Sequence, residues 1–511
     1  MTNKQEIILA LIAPIGVDLS AVKESMEEAV KNVAYTPIVI KLSEILKKRK
    51  WFSEIKSSES GECQRFDKLM KAGDKLRKDT NSADALATLA ILEIIKERKR
   101  NNSEKIAYIV DSIKNPEELI LLRSIYGKII LSFAIIDSKE NRIDNLAKRF
   151  SLSNNSNDVE KYRAKAEEYI NRDYNSDGGK HKQNIRDTFP LADAFVRMDR
   201  LRENLNRKIQ RIINVWFGHP FITPTKDEYG MFLAKSAALR SSDLSRQVGA
   251  AICTPSGEIM AVGCNEVPHP NGELMWGESS NDRRDFVIGY DSSAKMKGYI
   301  ISEVMKRLDD GGLLNITKRK GGNIDDISRE LAFGKKSWLL KDARVSNMLE
   351  FGRVVHAEMT AITECSRRGL KTSGATLYCT TFPCHMCARH IVASGLMEVY
   401  YIEPYPKSMA RELYVDIIDV VDSTKESSKK TVNFISFEGI GPNRYVDMFD
   451  LAGRKRKDKA GNALKWDPKK SRPIVDRHNA FYRDIEQTAI SPLADFSLAS
   501  MYGQPITRKK R

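Results

Sequence analysis

Two short stretches of this chain carry residue types that do chemistry. In VVHAEMTAITECSRRG, His356 and Glu358 stand two residues apart where a helix-like run begins, and in TTFPCHMCARH, Cys384 and Cys387 follow Pro383 at C-x-x-C spacing. One imidazole and two thiols make the donor count of a catalytic zinc site, which keeps its fourth position open for water. A helix start at Cys384 and Cys387 favours thiolates, because unsatisfied backbone N–H groups stabilise the anionic, metal-binding form. Pro383 suits that first turn, since proline has no donor to lose there. Glu358 can face the open position and move a proton between water and a leaving amine. A C-x-x-C pair alone would fit a redox couple or half of a structural zinc knuckle equally well.

Elements must bring these groups together. EIILALIAPIG reads as an apolar strand ending in a glycine turn, followed by a helix-like DLSAVKESMEEAVKNV. KIAYIVDSI, NPEELILLRSIYG and KIILSFAII repeat the strand, helix and strand order, which predicts an α/β domain with a parallel sheet and crossover helices. The polar stretches 151–160 and 172–184 read as loops, and 191–218 reads as one helix-like run to Gly218. A domain boundary is expected near there, giving domains over 1–215 and 225–440 and a basic extension over 441–511. In the second domain, QVGAAICTPSGEIMAVGCN reads as a hairpin around TPSG, and ATLYCTTF and MEVYYIEPY read as further strands. Residues 266–350 form a long polar insertion whose role the sequence does not disclose.

The pattern His356-Ala357-Glu358 followed by Pro383-Cys384 and Cys387 is the H-x-E…P-C-x-x-C signature of zinc-dependent nucleobase deaminases, and the second domain resembles them closely. The resemblance implies a cytidine-deaminase-like α/β/α fold, zinc on His356, Cys384 and Cys387, and Glu358 as the proton carrier. Within that superfamily, RSSDLSRQVGAAICTPSGEIMAVGCNEVP looks most like the deoxycytidylate branch. Carried over by position, Arg246 becomes a candidate phosphate or active-site contact and Asn265 a candidate partner for a sugar hydroxyl. Lys407 in EPYPKSMA is a candidate phosphate contact, and Tyr401 and Tyr405 could stack on a base. His385 and His390 could serve a second metal, though surface or core histidines fit as well. Cys253, Cys264, Cys365 and Cys379 sit in apolar settings, where cysteine is a small buried hydrophobe.

The first domain invites comparison with the phosphate-cradling GxxxxGK[ST] loop. Aligned on Ser20, that loop would place Ala13 at the first glycine, Asp18 at the second and Leu19 at the lysine, a degenerate match. Gly16, Asp18 and Ser20 are therefore the candidate contacts for a second nucleotide. The order of elements resembles small-molecule nucleotide kinases, and a P-loop kinase-like domain ahead of a deoxycytidylate-type deaminase resembles the bacterial anti-phage dCTP/dCMP deaminases. Membership would imply conversion of deoxycytidine nucleotides to deoxyuridine nucleotides, with association into a homo-oligomer.

Composition agrees with a protein of this kind. The 511 residues are 41% hydrophobic and 30% charged, and no apolar run approaches the length of a membrane span. Without the pattern of a secretory signal, the expected location is the cytoplasm, where seven cysteines imply metal or catalytic use rather than disulfides. The net charge of +16 is uneven: from Gly453 onward 15 Lys and Arg face 6 Asp and Glu. RKRKDK, PKKSR and the terminal RKKR suit either a polyanion, with a regulatory RNA as one partner, or a solvated tail. The same charge motivates deamination of cytosine in single-stranded nucleic acid. Against that, only 8% of residues are aromatic, and stacking channels need aromatics.

Overall fold

A computed structural model describes residues 4–490 apart from 50–51, 175–180, 200, 315–322, 341–342, 349, 406, 422–430, 452–453 and 475–481. The chain divides into two compact units, the first holding Met1–Glu228 with Asp422–Lys425 and Ser436–Arg511, the second Tyr229–Val421 with Glu426–Ile435. Both are α/β.

The sheet of unit 1 contains β1 (Gln5–Ile12), β2 (Thr36–Lys41), β3 (Lys105–Ile113), β4 (Ile130–Ile136), β5 (Ala194–Arg197) and the short β12 (Gly439–Ile440). Its order is β12-β5-β4-β1-β3-β2, parallel throughout except for β12, which runs antiparallel along β5. Central β1 is sealed on both faces, with Ile7 to Ile12 almost wholly excluded from solvent, which is why it reads as an unbroken apolar run. After β1 the chain turns at Gly16, whose φ of +93° suits a residue without a Cβ. The helix Leu19–Asn32 then begins under an Asp18 cap.

One expectation needs correction here. The run 191–218 is not one helix: Ala194–Arg197 is strand β5, and the helix spans Arg202–Trp216. ADAFV is apolar on both sides because β5 lies in the sheet interior, so its period cannot be told from a buried helix. The expected loop at 151–160 is found from Asn154 on, its first three residues ending the helix Lys139–Ser153. That at 172–184 starts with the last three residues of the helix Arg163–Tyr174, is irregular over 181–184, and lies outside the described residues over 175–180.

The helix Pro116–Tyr126 shows how local chemistry is reused in the core. Asn115 caps it, Pro116 opens it, and Glu118 closes a capping box while its carboxylate accepts from the Arg77 guanidinium at 2.7 Å. Neither side chain reaches solvent. Removing one member of a buried pair strands the other charge, so Arg77→Ala should destabilise unit 1 by about 3–5 kcal/mol, read as a lowered thermal transition.

Part of the basic extension is docked rather than solvated. Arg98 forms paired hydrogen bonds with both carboxylates of Glu6 and Glu486, and Tyr126 and Tyr482 close the cluster. RKRKDK and PKKSR lie within the described residues; the terminal RKKR lies outside them.

The sheet of unit 2 has the order β10-β11-β9-β8-β6-β7, with β6 (Gly249–Cys253), β7 (Ile259–Cys264), β8 (Thr376–Thr381), β9 (Glu398–Glu403), β10 (Ile418–Val421) and β11 (Val432–Ser436). β6 and β7 form the expected hairpin, β8 joins β6 antiparallel, and β8 and β9 run parallel. No helix among the described residues is long and apolar enough to cross a membrane.

Candidate active site

The helix Ala357–Arg367 takes His356 as its N-cap residue, and the helix His385–Ala393 takes Cys384. Both reactive segments thus sit at helix starts on unit 2's sheet. The first helix rests on β7 through Gly263, where an added Cβ would meet the Ala357 carbonyl oxygen at 2.4 Å. Thr360 Oγ1 donates to the Cys264 carbonyl at 3.1 Å and completes that contact.

A second tie fixes the approach to His356. Glu266 and Val355 form an isolated antiparallel bridge, with Glu266 N donating to Val355 O at 3.2 Å and Val355 N to Glu266 O at 3.0 Å. The long polar insertion is therefore an excursion that leaves and returns beside the histidine. The buried Glu266 carboxylate also accepts from Ser242 N and Ser242 Oγ.

His356 Nδ1 lies 3.3 Å from Cys384 Sγ and 3.4 Å from Cys387 Sγ, and donor atoms of all three residues fall within 4.8 Å of one another. This imidazole-and-two-thiol set has the chemistry and closeness of a three-ligand zinc site with a free fourth position. Among the described residues it is the one such cluster, and His385 and His390 are not part of it. The remaining cysteines are buried and free.

The electrostatics follow from burial and proximity. Cys384 is held down to about 4, first by the hydrogen bond from Cys387 and then by His356. Cys387 is pushed well above the usual thiol range, because it keeps the proton it shares with Cys384. His356 is raised to about 9, as its hydrogen bond to Cys384 outweighs burial. Glu358, 4% exposed, is raised above the ordinary carboxylate range, chiefly by burial and next by the negative charge on Cys384.

His356, Cys384 and Glu358 open into one cavity of about 350 Å³. Arg246, Asn265 and Lys407 line the same cavity, so the structure brings these candidates together with the metal cluster. Asn265 accepts from Val248 N at 2.7 Å and donates to Arg246 O at 2.9 Å, so its amide holds the segment bearing Arg246. Arg246 lies over the Tyr405 ring, 5.5 Å from its centre, and Tyr405 also lines the cavity. Tyr401 instead packs edge-on against Phe382 in the core.

Sequence reasoning missed part of the wall. Asp285, Asp291, Ser293, Lys297 and Arg353 line the cavity, and all but Arg353 come from the insertion of 266–350. The bridge at Glu266 and Val355, set by non-adjacent backbone, leaves no signal in a single sequence.

Gly16, Asp18 and Ser20 lie in unit 1, at the turn between β1 and its helix, and do not line this cavity. Asp18 Oδ1 accepts from Ser20 N at 3.0 Å. The backbone N–H of Ile15 donates to the buried Asp173 carboxylate at 2.7 Å, and Lys114 Nζ donates to that carboxylate at 3.2 Å and to Ala13 O at 2.7 Å. A protein carboxylate thus occupies a donor that a phosphate-cradling loop would offer to its ligand.

Residues 224–403 match the family model described as the cytidine and deoxycytidylate deaminase zinc-binding region. The matched segment contains His356, Cys384 and Cys387, the group that could hold a metal ion, so it resembles that zinc-binding region in both sequence and donor set. ComE operon protein 2 of Bacillus subtilis is 44% identical over 63 residues, 12% of this chain and 33% of that protein. The deoxycytidylate deaminase of Enterobacteria phage T4 is 33% identical over 92 residues, 17% of this chain and 44% of that protein. The probable deoxycytidylate deaminase of Drosophila melanogaster is 34% identical over 104 residues, 19% of this chain and 50% of that protein. The chain thus spans half or less of the length of these relatives. The dCMP deaminase of cyanophage S-TIM5 in apo form aligns over 42% of this chain and 99% of its own, at 16% identity and a TM-score of 0.22.

Proposed function

We propose that unit 2 hydrolytically deaminates deoxycytidine nucleotides, dCTP and dCMP being the candidates, to the corresponding deoxyuridine nucleotides. The observation that carries this reading is the buried Glu358 carboxylate sharing one cavity with the His356 imidazole and the Cys384 thiol. Zinc, held by His356, Cys384 and Cys387, would supply a Lewis acid that brings the pKa of water toward neutrality. Glu358 accepts a proton from the attacking water, delivers it to N3 of the cytosine ring, and assists proton transfer to the departing amine. Oxygen bonds to C4, the C4–N4 bond breaks, and the products are uracil nucleotide and ammonia. Burial serves this role: a carboxyl group whose pKa is raised holds the proton it takes from water more firmly than an exposed glutamate does, and so can carry it to the ring. Phe382 and Tyr405 supply apolar walls for a base, while Arg246 and Lys407 supply cations for its phosphate.

Incubating the pure protein with dCTP, dCMP and their ribose counterparts, and weighing the products, tests this. Exchange of the amino group for oxygen is expected with the deoxyribonucleotides. No exchange with any cytosine nucleotide, in protein shown to hold zinc, would remove the reading.

The anti-phage role follows from the family resemblance: depletion of the deoxycytidine pool would starve phage replication, and an inactive Glu358 variant should then fail to protect host cells. For unit 1 we read a nucleotide-kinase-like domain, supported by its parallel sheet, with the turn at Gly16, Asp18 and Ser20 as the place for a second nucleotide. The Asp173 contact leads us to expect no steady ATP or GTP hydrolysis. A second reading, RNA on the basic extension, is favoured by exposed Lys455, Arg456, Lys457, Lys459 and Lys465. Affinity for RNA should fall steeply as salt rises if those cations carry it.

A further inference from the structure

The insertion returns to the metal cluster carrying charge. Lys297, on the helix Ser292–Asp310, lines the same cavity as Glu358 and His356 and is only partly exposed. It has no hydrogen bond or ion pair with any other described residue. An ammonium on the cavity wall without an internal partner is placed to meet an anion that a ligand brings.

The acids on the same wall have hydrogen-bond partners other than Lys297. Asp291 accepts from Ala294 N at 3.0 Å as the cap of that helix, and Asp243 accepts from Ser245 N at 2.8 Å and Arg246 N at 3.1 Å. Asp285 accepts from Ser292 and from Arg353, the latter at 3.2 Å. Four cationic side chains, Arg246, Lys297, Arg353 and Lys407, share the cavity with Asp243, Asp285, Asp291 and Glu358, and among these cations Arg353 is ion-paired with Asp285. Arg246 and Lys407 come from segments flanking the strands; Lys297 comes from the insertion and Arg353 from the chain returning to the bridge.

A monophosphate needs few of these charges, whereas a triphosphate brings about twice the negative charge and more oxygens to satisfy. We infer that Lys297, with Arg353 on the wall of the same cavity, binds the outer phosphates of the nucleotide, so that the insertion makes the site selective for a deoxycytidine triphosphate over the monophosphate. This rests on the deaminase reading above and deepens it: Lys297 is a specificity-determining residue, while Glu358 and the metal cluster act on the base.

The test compares the zinc-loaded full chain with Lys297→Ala and Lys297→Arg, using dCTP, dCMP and, in a separate binding titration, inorganic tripolyphosphate. Loss of one partly buried phosphate contact should lower the ratio of kcat/KM for dCTP over dCMP about tenfold or more in Lys297→Ala, mainly through KM. Affinity for tripolyphosphate should fall in parallel, and Lys297→Arg should restore much of both. A ratio and an anion affinity that Lys297→Ala leaves unmoved overturn the inference while the deaminase reading stands, as does a wild-type protein that turns over dCMP alone and does not bind tripolyphosphate. Lysine-dependent binding of tripolyphosphate without turnover of any nucleotide supports the anion site and overturns the deaminase reading instead. Zinc content and the thermal transition of each variant confirm that unit 2 has folded.

Discussion

Glu358→Gln should lower deamination of deoxycytidine nucleotides by about 10²- to 10⁴-fold, the range spanned by removing a positioned proton carrier. Zinc content should stay at the wild-type level, because Glu358 is not among the three clustered donors. Glutamine keeps the shape and fills the same buried volume, so packing against the helix start is preserved and the loss is chemical. Single-turnover kinetics with metal analysis on the same sample reads both quantities. A pH profile adds a sign. The carboxylate must be ionised to take the first proton, and burial lifts its pKa. The rate of the native protein should therefore decline, as pH is lowered, at a higher pH than an ordinary exposed glutamate would give, and that acid limb should vanish in the variant. A Gln variant with undiminished turnover would remove Glu358 from the chemistry.

The second large effect is on the metal. Cys384→Ala removes a thiolate that is both a donor and the cap of the helix His385–Ala393, where its Sγ accepts from Cys387 N at 3.4 Å. Zinc content should drop to about a tenth of wild type or less after dialysis against a mild chelator, since two remaining protein ligands do not make a catalytic zinc site. Activity should disappear with it. Losing a capping group costs about 1 kcal/mol, so unit 2 should stay folded by circular dichroism while losing its metal. Full zinc retention with activity would exclude Cys384 as a ligand.

Much of this chemistry was legible before any fold was known. Ligand type and spacing lie within two short segments, and whether each begins a helix depends on neighbours a few residues away. His356 and Cys384 are both N-cap residues, as the local patterns implied. The parallel strands of unit 1 were equally plain, because β1, β3 and β4 are sealed on both faces and read as apolar runs.

What stayed hidden depends on contacts between residues far apart in the chain. Strand β5 was absorbed into a helical reading because sheet position, rather than local period, makes Ala194–Arg197 extended. The insertion carried no signal of its purpose until the Glu266–Val355 bridge folded it back and set Lys297 on the wall of the cavity holding Glu358. Likewise, only the fold places Asp173 against Ile15 N, across a separation of 158 residues, and so supplies an internal anion where the sequence suggested a phosphate cradle. Donor identity and helix starts are short-range properties, whereas the shape and charge of a cavity belong to the packed chain.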